Sequence, residues 1–321
     1  MSVPPQIVSN VRNIWRWQWN QLMNSLAPCD QEGNYMRPKN EFLNHPVPST
    51  QEISRSQIHF LIIGRSCPWA HRTWLVHNLQ NLETNIKLTI AKVNSKGGFW
   101  ELTPNILECN SLLKLYKKCG LKPSLRATVP TLIDPHYSLN GKPKIISNES
   151  SEIIQLLNKW PNKGNYYDFN SEKLKEEVIK WHKLIHNSIN NGVYKCGFAR
   201  NQDAYNRASD ELFSALSLIE KSLALKGPWL CGKKISFADI ILFPTLIRWE
   251  CVYEPLFSCS AEPIKSFPRL LKWRKNFFSL PKVADTCDSR TWRKDYFGAL
   301  FPLKPSNIVP KGPNLSKILD I

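Results

Sequence analysis

The run Ile58-His59-Phe60-Leu61-Ile62-Ile63-Gly64 passes within two residues into Cys67-Pro68-Trp69, and this junction constrains the fold more than any other feature of the chain. A short, unbroken apolar run closed by glycine has the composition of a buried strand. Pro68 suits the first turn of a helix, where its missing N–H leaves no bond unmade. Trp69, Leu75, Val76 and Leu79 then recur at helical spacing through residues 67–80. A strand buried on both faces and feeding a helix needs partner strands beside it and helices above and below it.

The following residues supply these partners. Ile86 to Val93 reads as a second strand, and 105–119 as a helix. Val129 to Asp134 and Lys144 to Ser147 read as short strands joined by a turn at Asn140-Gly141. Ser150 to Lys159 reads as a helix. The order strand, helix, strand, helix, hairpin, helix predicts a thioredoxin-like α/β domain over residues 58–160. From about residue 170 the texture changes: 171–190, 203–226, 236–250 and 267–279 show helical periods without a strand signal, which predicts an all-helical domain over 170–290. Ser236 with Asp239 three residues on marks one helix start as a capping box. Residues 1–57 are rich in breaking prolines, apart from a helical pattern at Val8, Val11, Trp15, Trp19, Leu22 and Leu26, and are read as an N-terminal extension. Residues 291–321 are read as a C-terminal segment whose Pro- and Lys-rich end, from about Phe301, is an extended tail.

Composition narrows the class. The 321 residues carry a formal charge of +17, and 42% of them are hydrophobic, enough for a sizeable core. With no long basic run and no nucleic-acid motif, the charge is read as a solvated basic surface rather than as nucleic-acid binding. Ile235 to Trp249, the best apolar stretch, falls short of the roughly 18 residues a membrane span needs and contains Asp239, so no membrane partner is expected. The N-terminus lacks the basic-then-apolar pattern of a secretory signal, which points to the cytoplasm. Nine cysteines without C-x-x-C spacing argue for free thiols, and against a disulfide framework or a zinc ribbon; no metal is expected.

Chemistry concentrates at Cys67. A thiol at a helix start sees the positive end of the helix dipole and unpaired backbone N–H groups, which predicts a lowered pKa and a nucleophilic thiolate. Ala70 stands where a second cysteine would resolve a disulfide, so an outside thiol must complete any cycle.

Cys67-Pro68-Trp69-Ala70-His71-Arg72, Val129-Pro130-Thr131-Leu132 and Asn148-Glu149-Ser150-Ser151-Glu152-Ile153-Ile154 together resemble the glutathione transferase superfamily near its omega class. Asn190 to Ala199, Ala238-Asp239-Ile240, Leu242 to Arg248, Val252-Tyr253, Asn307 to Pro313, and Gly33 to Phe42 with Arg37 are similar to segments of the glutathionyl-hydroquinone reductases, the xi class. The resemblance implies glutathione as co-substrate, a quinol or other small aromatic substrate, and a homodimer. It implies Cys67 as catalytic nucleophile and Tyr194, Tyr253 and Tyr296 as phenols of the substrate pocket, able to donate a hydrogen bond to a leaving oxygen. It also implies a glutathione cradle of Val129, a cis Pro130, Glu149, Ser150 and Trp100. Val129 would pair with the peptide by strand addition, and Glu149 and Ser150 would meet the γ-glutamyl end at a helix start. The same activity could instead serve a glutaredoxin-like thioltransferase or dehydroascorbate reductase, and loss of turnover would leave a binding protein. Two departures bear on specificity: Leu256-Phe257-Ser258-Cys259 replaces the family's His-Phe-Lys-Cys, and Phe42-Leu43-Asn44-His45 replaces its Phe-Arg-Asn-Trp.

Overall fold

The structure, a computed structural model, describes residues 3–38, 58–94, 98–122, 126–135, 143–161, 167–300 and 308–320. The Asn140-Gly141 turn, Phe42 to His45 and the start of the tail lie outside them.

Helix α1 (Pro5–Leu26) precedes the sheet. Strand β1 (His59–Gly64) is central, as its apolar run requires, with Leu61, Ile62 and Ile63 fully buried. Helix α2 (Pro68–Leu79) returns the chain to β2 (Ile86–Val93), which lies parallel to β1 with His59 opposite Ile86 and Gly64 opposite Ala91. On the other side β5 (Thr131–Asp134) runs antiparallel to β1, and β6 (Lys144–Ser147) closes that edge.

The second edge departs from expectation. Residues 105–119 are not one helix. β3 (Trp100–Ile106) and β4 (Cys109–Ser111) form a hairpin, and only Leu112–Lys118 is helical (α3). Leu107 and Glu108 make the two-residue turn at φ 47° and 63°, where Ile106 pairs with Cys109. Such turns normally use Asn-Gly, because both central residues need positive φ. Without that signal, the spacing of Ile106, Leu112, Leu113 and Leu115 imitates a helix. The six strands lie in the order β4-β3-β2-β1-β5-β6.

Helix α4 (Ser150–Asn158) packs beside α2, and the elements described after it are helices, with one isolated β-bridge between Trp229 and Gly232. Helix α5 (Lys175–Leu184) runs into a π-helical turn, Ile185–Asn190, followed by α6 (Gly192–Phe198) and α7 (Gln202–Lys226). Helix α8 (Phe237–Leu246) is buried throughout and starts on the expected capping box. Asp239 does more than cap: it accepts from Leu230 N, from Ser236 N and Oγ, and from Trp273 Nε1 at 2.8–3.0 Å. A second π-helical turn, Trp249–Tyr253, follows, then α9 (Glu254–Phe257), α10 (Pro268–Phe278) and α11 (Ser289–Asp295). The described part of the tail is not wholly extended. It ends in α12 (Leu315–Leu319), where Leu319 is buried and Arg274 donates to Ile318 O at 3.0 Å.

Candidate active site

β1 ends at Gly64, against which the ring of Trp100 packs so closely that a Cβ there would clash with it. Three residues on, Cys67 is the N-cap of α2. Its Sγ accepts from Ala70 N at 3.4 Å and donates its proton to Val129 O at 3.4 Å. The Val129-Pro130 peptide is cis, as the resemblance implied. All nine cysteines are free, and no cluster of metal-ligating side chains occurs among the described residues.

The lowered thiol pKa does not hold in this state. Burial pushes the Cys67 thiol up. The N–H groups of Ala70 and Trp69, then the charges of Arg37 and Arg248, pull it down without prevailing. The helix start supplies the expected donors, yet desolvation of a thiolate outweighs them.

Glu149 caps α4. Its Oε1 accepts from Ser151 N at 3.3 Å, from Ser151 Oγ at 3.2 Å and from Ser150 Oγ at 3.4 Å. Arg72, fully buried on α2, reaches the same place, with Nη1 donating to Ser150 Oγ at 3.4 Å. Burial and the neighbouring charge of Arg37 bring Arg72 down to about 9, and Glu149 opposes that shift. A buried cation with so weak a partner is a ready counter-charge for an incoming carboxylate. Arg37 and Arg72 both stack on Trp69, at 3.8 and 4.4 Å from its ring centroid. Arg37 arrives from the N-terminal segment and also donates to Asn191 Oδ1 at 3.3 Å, just before α6.

Tyr194 on α6, Tyr253 and Tyr296, the phenols named by the resemblance, lie side by side. The Tyr194 and Tyr296 hydroxyls are 2.7 Å apart, and those of Tyr253 and Tyr296 3.4 Å. Burial raises all three phenols, so each stays protonated and able to donate. A negative charge on Cys67 would raise Tyr194 and Tyr253 further, which puts these two phenols within electrostatic reach of the thiol. Phe257 packs against all three rings, so the altered Leu256-Phe257-Ser258-Cys259 segment lies behind the trio.

Arg248 closes the segment Leu242 to Arg248 that carries part of the resemblance, but the sequence assigns it no role. It is fully buried, and among the described residues no carboxylate lies within ion-pair distance of it. Its Nη2 donates to Arg65 O at 3.0 Å, and Nη1 to Pro244 O and His71 Nδ1, each at 2.8 Å. The guanidinium stacks on Trp292, whose Nε1 also donates to Arg65 O at 3.0 Å. Burial and Arg248 keep His71 well below its usual value and therefore neutral, so its Nε2–H can donate to Thr286 Oγ1, 2.7 Å away. The turn that presents Cys67 is thus pinned from the helical half. The lone Arg in Ile247-Arg248 was the available signal, but its partners lie some 180 residues away in sequence.

These contacts define a two-domain protein in which a thioredoxin-like half carries one thiol and a helical half confronts it with phenols. Comparison with known proteins agrees. The N-terminal domain of glutathione S-transferase matches residues 66–160 and its C-terminal domain residues 155–281. The glutathionyl-hydroquinone reductase PcpF of Sphingobium chlorophenolicum is 32% identical over 267 residues, 79% of this chain and 82% of that protein. The xi glutathione S-transferase of Phanerochaete chrysosporium superposes with a TM-score of 0.79 at 30% identity, covering 88% of this chain and 94% of the other. The glutathione-bound structure of YqjG from Escherichia coli gives 0.72 at 29% identity, with 81% and 86% covered. The chain belongs to the glutathione S-transferase family, and it is an enzyme of the glutathione transferase and glutathionyl-hydroquinone reductase type.

Proposed function

We propose that this enzyme reduces glutathionylated quinols with glutathione, through Cys67. The observation that carries the reading is the placement of the Cys67 thiol, 3.4 Å from Val129 O and within electrostatic reach of the protonated phenols of Tyr194 and Tyr253, to which Tyr296 is hydrogen-bonded. Val129 and the cis Pro130 hold the cysteinyl part of glutathione by backbone pairing. Glu149 and Ser150, with Arg72 behind them, take the γ-glutamyl ammonium and carboxylate, and Trp100 walls the site. Glu149 keeps its capping bonds in this role, since a carboxylate has acceptor sites to spare.

The thiolate of Cys67 attacks the glutathione sulfur of the adduct. A sulfur–sulfur bond forms, the sulfur–aryl carbon bond breaks, and its electron pair leaves with the ring, which takes up a proton. Tyr194, Tyr253 and Tyr296 stabilise the quinol oxygen during this step. A second glutathione thiolate attacks the mixed disulfide, giving glutathione disulfide and free Cys67. Binding itself assists ionisation: the cysteinyl amide N–H of glutathione claims Val129 O, the acceptor that the thiol proton uses at rest. Homodimer formation belongs to the same reading and rests on the family resemblance.

A thioltransferase or dehydroascorbate reductase is the second reading, favoured by the altered residues behind the tyrosine trio. The two separate in an assay of one enzyme with glutathione on glutathionylated quinols and on hydroxyethyl disulfide. Quinol turnover that falls in Tyr194→Phe while disulfide turnover holds supports the first. Disulfide turnover alone supports the second.

A further inference from the structure

Among the described residues, helix α1 is attached only near its C-terminal end. Met23 and Ala27 are buried, and Trp19 lies under the Arg200 guanidinium at 4.8 Å. Arg200 Nη2 also donates to Ala27 O at 2.9 Å. From Val3 to Gln18 every residue is exposed, including Trp15 at 60% and Trp17 at 63%. Ile7, Val11, Ile14, Trp15 and Leu22 recur at helical steps and form one stripe, widened by Val8 and Leu26, all of them exposed. Ser9, Asn10, Asn13, Asn20 and Asn24 occupy the other side.

The geometry points to a membrane-surface role: α1 docks the protein onto an anionic lipid surface, lying in the plane of the interface. Three features select this occupant. Arg12 and Arg16 follow one another along one border of the stripe, no acidic residue precedes Asp30, and the chain carries +17, so charge complements anionic headgroups. The same charge opposes a second copy, whose helix would present identical arginines. Trp15, within the stripe, is a side chain suited to the boundary between headgroups and acyl chains, whereas Trp17 stands among the asparagines of the other side. No described helix is long and apolar enough to cross a bilayer, and a docked α1 departs from the expectation of no membrane partner at the lipid surface alone. A helix with Arg12 and Arg16 near its middle lies on a bilayer rather than through it.

The test is flotation of the full chain with vesicles of phosphatidylcholine alone and with about a third phosphatidylserine, at low and high salt, beside the double variant Ile14→Asn, Trp15→Asn. Both positions are exposed and remote from the thiol, so thermal midpoint and glutathione-dependent turnover should match the parent. The parent should float with anionic vesicles, more weakly in high salt, and the variant should bind at least about tenfold more weakly. Three results would each overturn the proposal: no flotation, equal flotation of parent and variant or of the two vesicle types, or a change of sedimentation coefficient between parent and variant without lipid, which would make a second copy the occupant.

Discussion

Cys67 is held between opposed effects. Backbone donors and two guanidinium charges favour its thiolate, while burial and the acceptor at Val129 O favour the thiol. Its alkylation by iodoacetamide in the free enzyme should therefore climb with pH to a midpoint above the usual thiol value of about 8.5. Adding a glutathione analogue with alanine in place of cysteine should lower that midpoint, read as thiolate absorbance. An unchanged midpoint would remove Val129 O from the account of activation. At the phenols, Tyr194→Phe should slow glutathionylated-quinol turnover roughly 5- to 150-fold, the equivalent of about 1–3 kcal/mol, and scarcely alter reduction of hydroxyethyl disulfide. Glu149→Ala should weaken glutathione binding by calorimetry, and unchanged affinity would reduce Glu149 to a helix cap.

At the scale of elements, burial separates what could be read from the chain from what could not. The strands around β1 were legible because they are short apolar runs with turn residues beside them. The β3–β4 hairpin was hidden because Leu107 and Glu108, neither a usual turn residue, hold the positive φ angles. The start of α8 was legible in Ser236 and Asp239, yet the bonds of Asp239 to Leu230 and Trp273 come from tertiary packing. Asp239→Ala should cost about 3 kcal/mol or more in denaturant unfolding, because it strands buried donors. The His71–Arg248 junction makes a pH prediction. His71 is neutral in the fold and titrates near 6.5 when unfolded, so the unfolded chain binds the extra proton as pH falls. The contribution of His71 should be at full strength above about pH 6.5 and decline below it by up to about 1.4 kcal/mol per pH unit, with His182 and His186, also held low by burial, adding to the decline. A His71→Asn variant should lose part of that slope, and an equal slope in both proteins would assign it elsewhere.

Across the whole molecule, distant segments converge on one thiol. The N-terminal segment is fastened to the helical half by Arg200 N to Gly33 O and Arg207 to Asn34, and so delivers Arg37 to Trp69. α11 brings Trp292 to Arg65 and leads directly into Tyr296. The thiol and the α4 start could be read locally, each from a few adjacent residues, and the cis proline only through the family resemblance. Arg37, Arg72 and Arg248 could not, because single arginines in a chain of this charge reveal their role only through what they pack on. The most direct measurement is intact-protein mass spectrometry after mixing the enzyme with a glutathionylated quinol and no free glutathione. The account predicts one glutathionyl adduct per chain, located at Cys67, formed in step with release of free quinol and absent in Cys67→Ser. Quinol release without an adduct at Cys67, or undiminished release by Cys67→Ser, would contradict it.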